Sequence, residues 1–125
     1  MVFKKRRYKL RIADPWIEHN VKKDVIKNAE KYLRFREGAK GHLEPLLINY
    51  YLEVEEWNGE KFEMPYADIC FVELNDGKEP VAFYKLKIYF HLEGEFVYVS
   101  KARKSKMNIC EKGKRLIKKK RHQEE

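Results

Sequence analysis

The sequence predicts an α+β fold in which one helix packs on a curved antiparallel sheet of four to five strands. Three observations carry this reading: one long apolar stripe at helical spacing, several later segments that alternate polar with apolar residues, and turn signals between those segments. A sheet with one apolar face and a helix with one apolar stripe each need a cover, and each supplies the other's. The expected order is β-α-β-β-β-β, followed by a basic tail in which a short helix around residues 108–121 is an optional element.

Tyr8, Leu10 and Ile12 alternate with Lys9 and Arg11, so residues 7–12 are expected to form the first strand, with bases on its exposed face. Asp14-Pro15 then opens the helix. An Asp at the N-cap accepts from otherwise unpaired N–H groups, and a Pro in the first turn gives up no hydrogen bond. Ile17, Val21, Val25, Ala29 and Leu33, with Ile26 and Tyr32 beside them, form the stripe, and Gly38 and Gly41 are the stop signals. The helix should run from about residue 15 to about residue 36. Lys22, Lys23, Lys27, Lys31 and Arg34 occupy other positions, mixed with Asp24 and Glu30, which reads as an ordinary solvated face.

Next, Leu46, Ile48, Tyr50, Leu52 and Val54 face one way, with Asn49, Tyr51, Glu53 and Glu55 opposite. Asn58-Gly59 is a hairpin turn, because both residue types tolerate positive φ. Lys61 to Leu74 is the partner strand, expected to bend or bulge at Pro65, which cannot donate to a ladder. Asn75-Asp76-Gly77 turns again. In the following strand Ala82, Tyr84, Leu86, Ile88 and Phe90 face the core while Lys85, Lys87 and Tyr89 face out. Glu93-Gly94 precedes a last strand at residues 96–99. Outward Glu53 and Glu55 are expected to pair with outward Lys85 and Lys87 across one sheet face.

This element order resembles that of the cystatin and monellin folds, in which a curved sheet wraps a helix; the likeness is one of order alone. Without the first strand, the succession would look more like a double-stranded-RNA-binding domain, but the fourth strand and long hairpins speak against that.

The chain has 125 residues, enough for one domain, and 17 aromatics (two Trp, eight Tyr, seven Phe) supply material for a core. No apolar run approaches the roughly 18 residues of a membrane span, and no signal-type apolar segment follows the basic start. A cytoplasmic setting is therefore expected, with Cys70 and Cys110 reduced. Thr is absent, Ser and Gln are scarce, and Lys and Glu abound, a bias that resembles hyperthermophile chains, including archaeal and archaeal-virus ones.

Placement of charge is more informative than its amount. Residues 1–11 hold six bases and no acid, a net +6, and residues 101–125 hold eleven bases against three acids, a net +8. Residues 12–100 hold eleven bases against seventeen acids, a net −6. Interspersed signs would make ion-pair networks, whereas two segments depleted of acids repel themselves until a polyanion neutralises them. The chain is accordingly divided into a domain at 1–100 and a basic extension at 101–125. The layout resembles that of ribosomal proteins, a compact body with basic extensions that thread into RNA.

Chemistry is sparse by comparison. His19, His42, His91 and His122 are scattered without metal-ligand spacing, and there is no phosphate-binding glycine loop or GxSxG. A metal-dependent nuclease would need carboxylates such as Asp68, Glu73 and Glu79 to converge. Tyr51 and Tyr89, by alternation, and Tyr8, among the N-terminal bases, are candidate stacking surfaces for nucleotide bases. The function expected is non-enzymatic binding of RNA, in an accessory component of a ribonucleoprotein such as the ribosome, with no cofactor, metal, membrane or small-molecule substrate. The N-terminal contacts would be Lys4, Lys5, Arg6, Arg7, Tyr8, Lys9 and Arg11. The C-terminal ones would be Lys101, Arg103, Lys104, Lys106, Lys112, Lys114, Arg115, Lys118, Lys119, Lys120 and Arg121. The alternatives are a protein-interaction module, for instance a virus-encoded inhibitor, docking its bases on an acidic partner, and, behind it, the metal-dependent nuclease; other proteins could also meet the acidic body.

Overall fold

The computed structural model describes residues 3–93 in full and residues 96–104 by their backbone. The order is β1 (Phe3–Lys9), α1 (Pro15–Arg36), β2 (His42–Trp57), β3 (Glu60–Leu74), β4 (Pro80–Glu93) and β5 (Phe96–Lys104). The strands form one sheet in the order β1-β2-β3-β4-β5, every neighbour antiparallel. One helix on an antiparallel sheet is the α+β arrangement expected.

The helix starts where its cap dictates. Asp14 Oδ1 accepts from the N–H groups of Trp16 (2.9 Å) and Ile17 (3.3 Å), and Pro15 sits in the first turn. At the other end Gly38 adopts φ 69°, which turns the chain so that the Ala39 N–H returns to the Leu33 carbonyl. Between these, Val21, Val25, Ala29 and Leu33 are fully buried against Ala67, Ile69 and Phe71 of β3 and Leu86, Ile88 and Phe90 of β4. Burying each large aliphatic side chain contributes about 1.5–3 kcal/mol, so this stripe holds helix to sheet. No described helix is long and apolar enough to cross a membrane.

The Asn58-Gly59 turn has φ 47° and 85°, as the hairpin signal requires. Two details differ from expectation. The first strand runs over residues 3–9 rather than 7–12, and all seven of its residues are exposed. It is held by its backbone ladder to β2, while Leu10 and Ile12, which suggested the strand, instead lie against the core from the connecting segment. Pro65 causes no bulge. It pairs with Leu52 in register one residue before β4 joins β3 at Tyr66, where β3 has a free edge and no N–H is needed. The irregularities fall at Pro45/Leu47, Glu73/Leu74 and Tyr89/Phe90.

β1 pairs only with Tyr51–Trp57 of β2, so the distal half of the β2–β3 hairpin is braced by β1 and not by β4. β5 extends through Lys104, past the point at residue 100 where charge alone divides body from extension. The helix expected around 108–121 lies outside the described residues.

Candidate nucleic-acid interface

The two basic segments reach opposite margins of the sheet. β1 is one edge strand and β5 the other. With about 4.8 Å between strands, they stand roughly 19 Å apart along the sheet. A single register row links them: Lys9 pairs with Tyr51, Tyr51 with Tyr66, Tyr66 with Tyr89, and Tyr89 with Lys101. In β5, Arg103 is paired to Lys87 and Lys104 to Leu86 through the backbone. Lys106, Lys112, Lys114, Arg115, Lys118, Lys119, Lys120 and Arg121 lie outside the described residues.

The bases of β1 do not all remain available. Lys5 is paired with Glu53 of β2, and the Arg7 guanidinium lies 4.4 Å over the Tyr51 ring. Lys4, Arg6, Lys9 and the following Arg11 are exposed and make no ion pair among the described residues. Tyr8 is 48% exposed beside them. Among the N-terminal candidates, four bases and one tyrosine therefore face solvent, the bases without an ion pair among the described residues.

The sheet face turned away from α1 explains where the acids go. Tyr51, Tyr66 and Tyr89 form a chain of tilted rings with centroids 5.5 and 5.4 Å apart, and Lys87 Nζ lies 4.9 Å over Tyr66. Two carboxylates are buried beside them. Glu53 is only 3% exposed and accepts from the Tyr89 hydroxyl at 2.7 Å as well as from Lys5. Burial pushes its carboxyl up, but the bonds from Lys5 and Tyr89 and the attraction of Lys5 and Lys87 outweigh that and hold it below the ordinary range. Asp68, 4% exposed, goes the other way. Among the described residues neither of its oxygens receives a hydrogen bond, Lys85 Nζ stands off at 3.5 Å, and burial raises its pKa against the pull of Lys85, Lys87 and Arg7.

The expected pairing of Glu53 and Glu55 with Lys85 and Lys87 is thus replaced. β3 separates β2 from β4, so Glu53 meets β1 and the tip of Tyr89, while Lys85 meets Asp68 of β3. Tyr51 and Tyr89 are likewise engaged internally, Tyr51 with its ring beneath Arg7 and Tyr89 through its hydroxyl on Glu53.

The three carboxylates considered for metal chemistry do not come together. Asp68 lies on the helix-free face. Glu73, on the opposite face, accepts from the Tyr84 hydroxyl (2.7 Å) and the Gly41 N–H (3.0 Å), which hold it below its ordinary pKa. Glu79 belongs to the turn, its N–H donating to Asn75 Oδ1. Among the described residues no cluster of three His, Cys, Asp or Glu side chains could hold a metal ion.

Sequence reasoning passed over the two most exposed large apolar side chains among the described residues, Trp16 (61%) and Phe35 (79%), both on α1. Their flanking by lysines at helical spacing was the signal that could have found them. No protein-family model matches the chain, and no curated protein and no solved structure matches it significantly.

Proposed function

We propose that this chain is a non-enzymatic RNA-binding protein, an accessory component of a ribonucleoprotein such as the ribosome, that grips phosphates with its basic ends. One observation supports the reading above others. The body's buried carboxylates, Glu53 and Asp68, are engaged internally by Lys5 with Tyr89 and by Lys85, and half-buried Glu73 by Tyr84, while Lys4, Arg6, Lys9 and Arg11 stand in solvent without an ion pair among the described residues. Each such base that meets a phosphate releases condensed counterions, which drives association and makes it salt-dependent. The extension beyond β5 adds eight further bases, Lys106 to Arg121, to the same chemistry.

The test is RNA affinity against salt, for the full chain and for a chain ending at Lys104. This truncation keeps β5 whole, which removing residues 101–125 would not. A steep slope that flattens on truncation supports the reading; a shallow slope in both opposes it.

A second reading is favoured by the outer edge of β1. Among the described residues its backbone is unpaired on that side, and no acid interrupts its bases. An acidic extended segment of another protein could add there as a strand, as the glutamate-bearing part of β2 does on the inner side, where Lys4 faces Glu56 and Lys5 faces Glu55. Capture of a protein partner that survives nuclease treatment and high salt would favour it.

A further inference from the structure

Helix α1 carries a second cationic surface, and the structure separates it from the acids that blur it in the sequence. Lys23, Lys27 and Lys31 follow one another at i, i+4 and are exposed, on the side away from the buried Val21, Val25, Ala29 and Leu33. The same ridge begins at Trp16, seven residues before Lys23, and ends at Phe35, four residues after Lys31. At 1.5 Å per residue the ridge is about 28 Å long, with its lysines about 6 Å apart. Asp24 and Glu30 are half-buried on its flanks, and none of the three lysines makes an ion pair among the described residues.

Such a ridge works against the helix that carries it. Like charges at i, i+4 repel, and Trp16 and Phe35 leave large apolar surfaces in water. A ligand that relieves both needs closely spaced negative charge and flat apolar rings. An inserted membrane surface does not suit, because the apolar face of α1 is spent on the core and the two aromatics are separated by the three lysines. Duplex nucleic acid does not suit either, since its bases are already stacked on one another. Unpaired bases on a sugar–phosphate strand have both features.

We infer that this ridge binds a single-stranded stretch of RNA. Trp16 and Phe35 offer stacking surfaces to unpaired bases at its two ends, and Lys23, Lys27 and Lys31 follow the phosphates between them. His19, whose ring is stacked on Trp16 with centroids 6.3 Å apart, widens the first platform. The inference rests on the RNA reading above and names the form of RNA taken.

The chain has two tryptophans, so Trp57→Phe leaves Trp16 as the only one and its fluorescence as a local probe. The full-length variant is titrated with an oligoadenylate of about twelve nucleotides, within the usual site sizes for single strands. The same strand annealed to its complement, and phosphatidylserine vesicles, serve as the other arms. The expected result is quenching of Trp16 by the single strand and much less by the duplex or vesicles. Trp16→Ala, made in the otherwise unaltered chain, should weaken single-strand binding about tenfold, the usual loss for one stacked base. Replacing all three lysines by Gln should lower the salt slope by about two.

If the single strand binds with unchanged affinity and slope in these variants, RNA binding stands and the ridge is not its site. Equal quenching by duplex, or stronger quenching by vesicles, overturns the single-strand assignment. If neither single strand nor duplex binds the full chain at any salt, this inference and the RNA reading fall together.

Discussion

Glu53 is the side chain whose replacement tests the electrostatics of the sheet most sharply. It is nearly inaccessible, yet it is ionised and ties the edge strand β1 to Tyr89 of β4. Glu53→Gln keeps the shape and removes the charge. A hydrogen bond to a charged group contributes about 1.5–3 kcal/mol and a neutral one about 0.5–1.5, so the two bonds together lose about 2 kcal/mol. Lys5 is 53% exposed, so its freed ammonium returns to water and adds no penalty of a stranded buried charge. For a domain of this length a loss of about 2 kcal/mol lowers Tm by roughly 8 °C.

The pH dependence carries a definite sign. The folded-state pKa of Glu53 lies below its ordinary value, so its contribution is fully present above the ordinary glutamate pKa of about 4.3 and is lost as pH falls through the folded value. Urea unfolding of both chains across that range is the assay. The gap between them should be full at neutral pH and close in acid. A gap under about 0.5 kcal/mol at neutral pH, at the level of an ordinary surface substitution, would refute the reasoning, as would a gap that ignores acid.

Asp68 should behave in the opposite sense. Its folded pKa is raised, so the protein gains stability as pH falls through that value toward the ordinary aspartate range, and Asp68→Asn should abolish this gain in the same unfolding series. Asp14→Ala removes the acceptor for Trp16 and Ile17 and should cost about 1 kcal/mol by urea titration, with the m-value unchanged.

Much of the fold could be read from residue order because the signals were local. Asp14-Pro15 and Gly38 bound the helix, since capping and positive φ are decided within a few residues. Asn58-Gly59 marked its hairpin for the same reason. Features decided by register were hidden. The position of β1 depends on a backbone ladder with β2 and on Lys5 reaching Glu53, and neither leaves an apolar alternation to read. Glu53 looked like a surface residue because nothing in its neighbourhood along the chain announces Tyr89, thirty-six residues away. Tyr51 reads as open in the sequence because alternation gives a face but not what else stands on it, here the Arg7 guanidinium. Trp16 and Phe35 were read over because hydrophobicity is taken as a sign of burial, and here it is not one. The bases of β1 were legible as charge, but only the structure separates Lys5, committed to Glu53, from Lys4, Arg6, Lys9 and Arg11.

The most direct trial of the central claim is the equilibrium constant for RNA measured across a range of salt concentrations, with the chain ending at Lys104 run beside the full chain. Each phosphate contact to a single strand adds about −0.7 to the slope of log K against log salt, so losing the eight bases beyond Lys104 should flatten that slope by up to about six. A residual slope should remain from the bases of β1 and α1. An affinity that does not respond to salt, or slopes that coincide for the two chains, would contradict a protein built to hold phosphates with its ends.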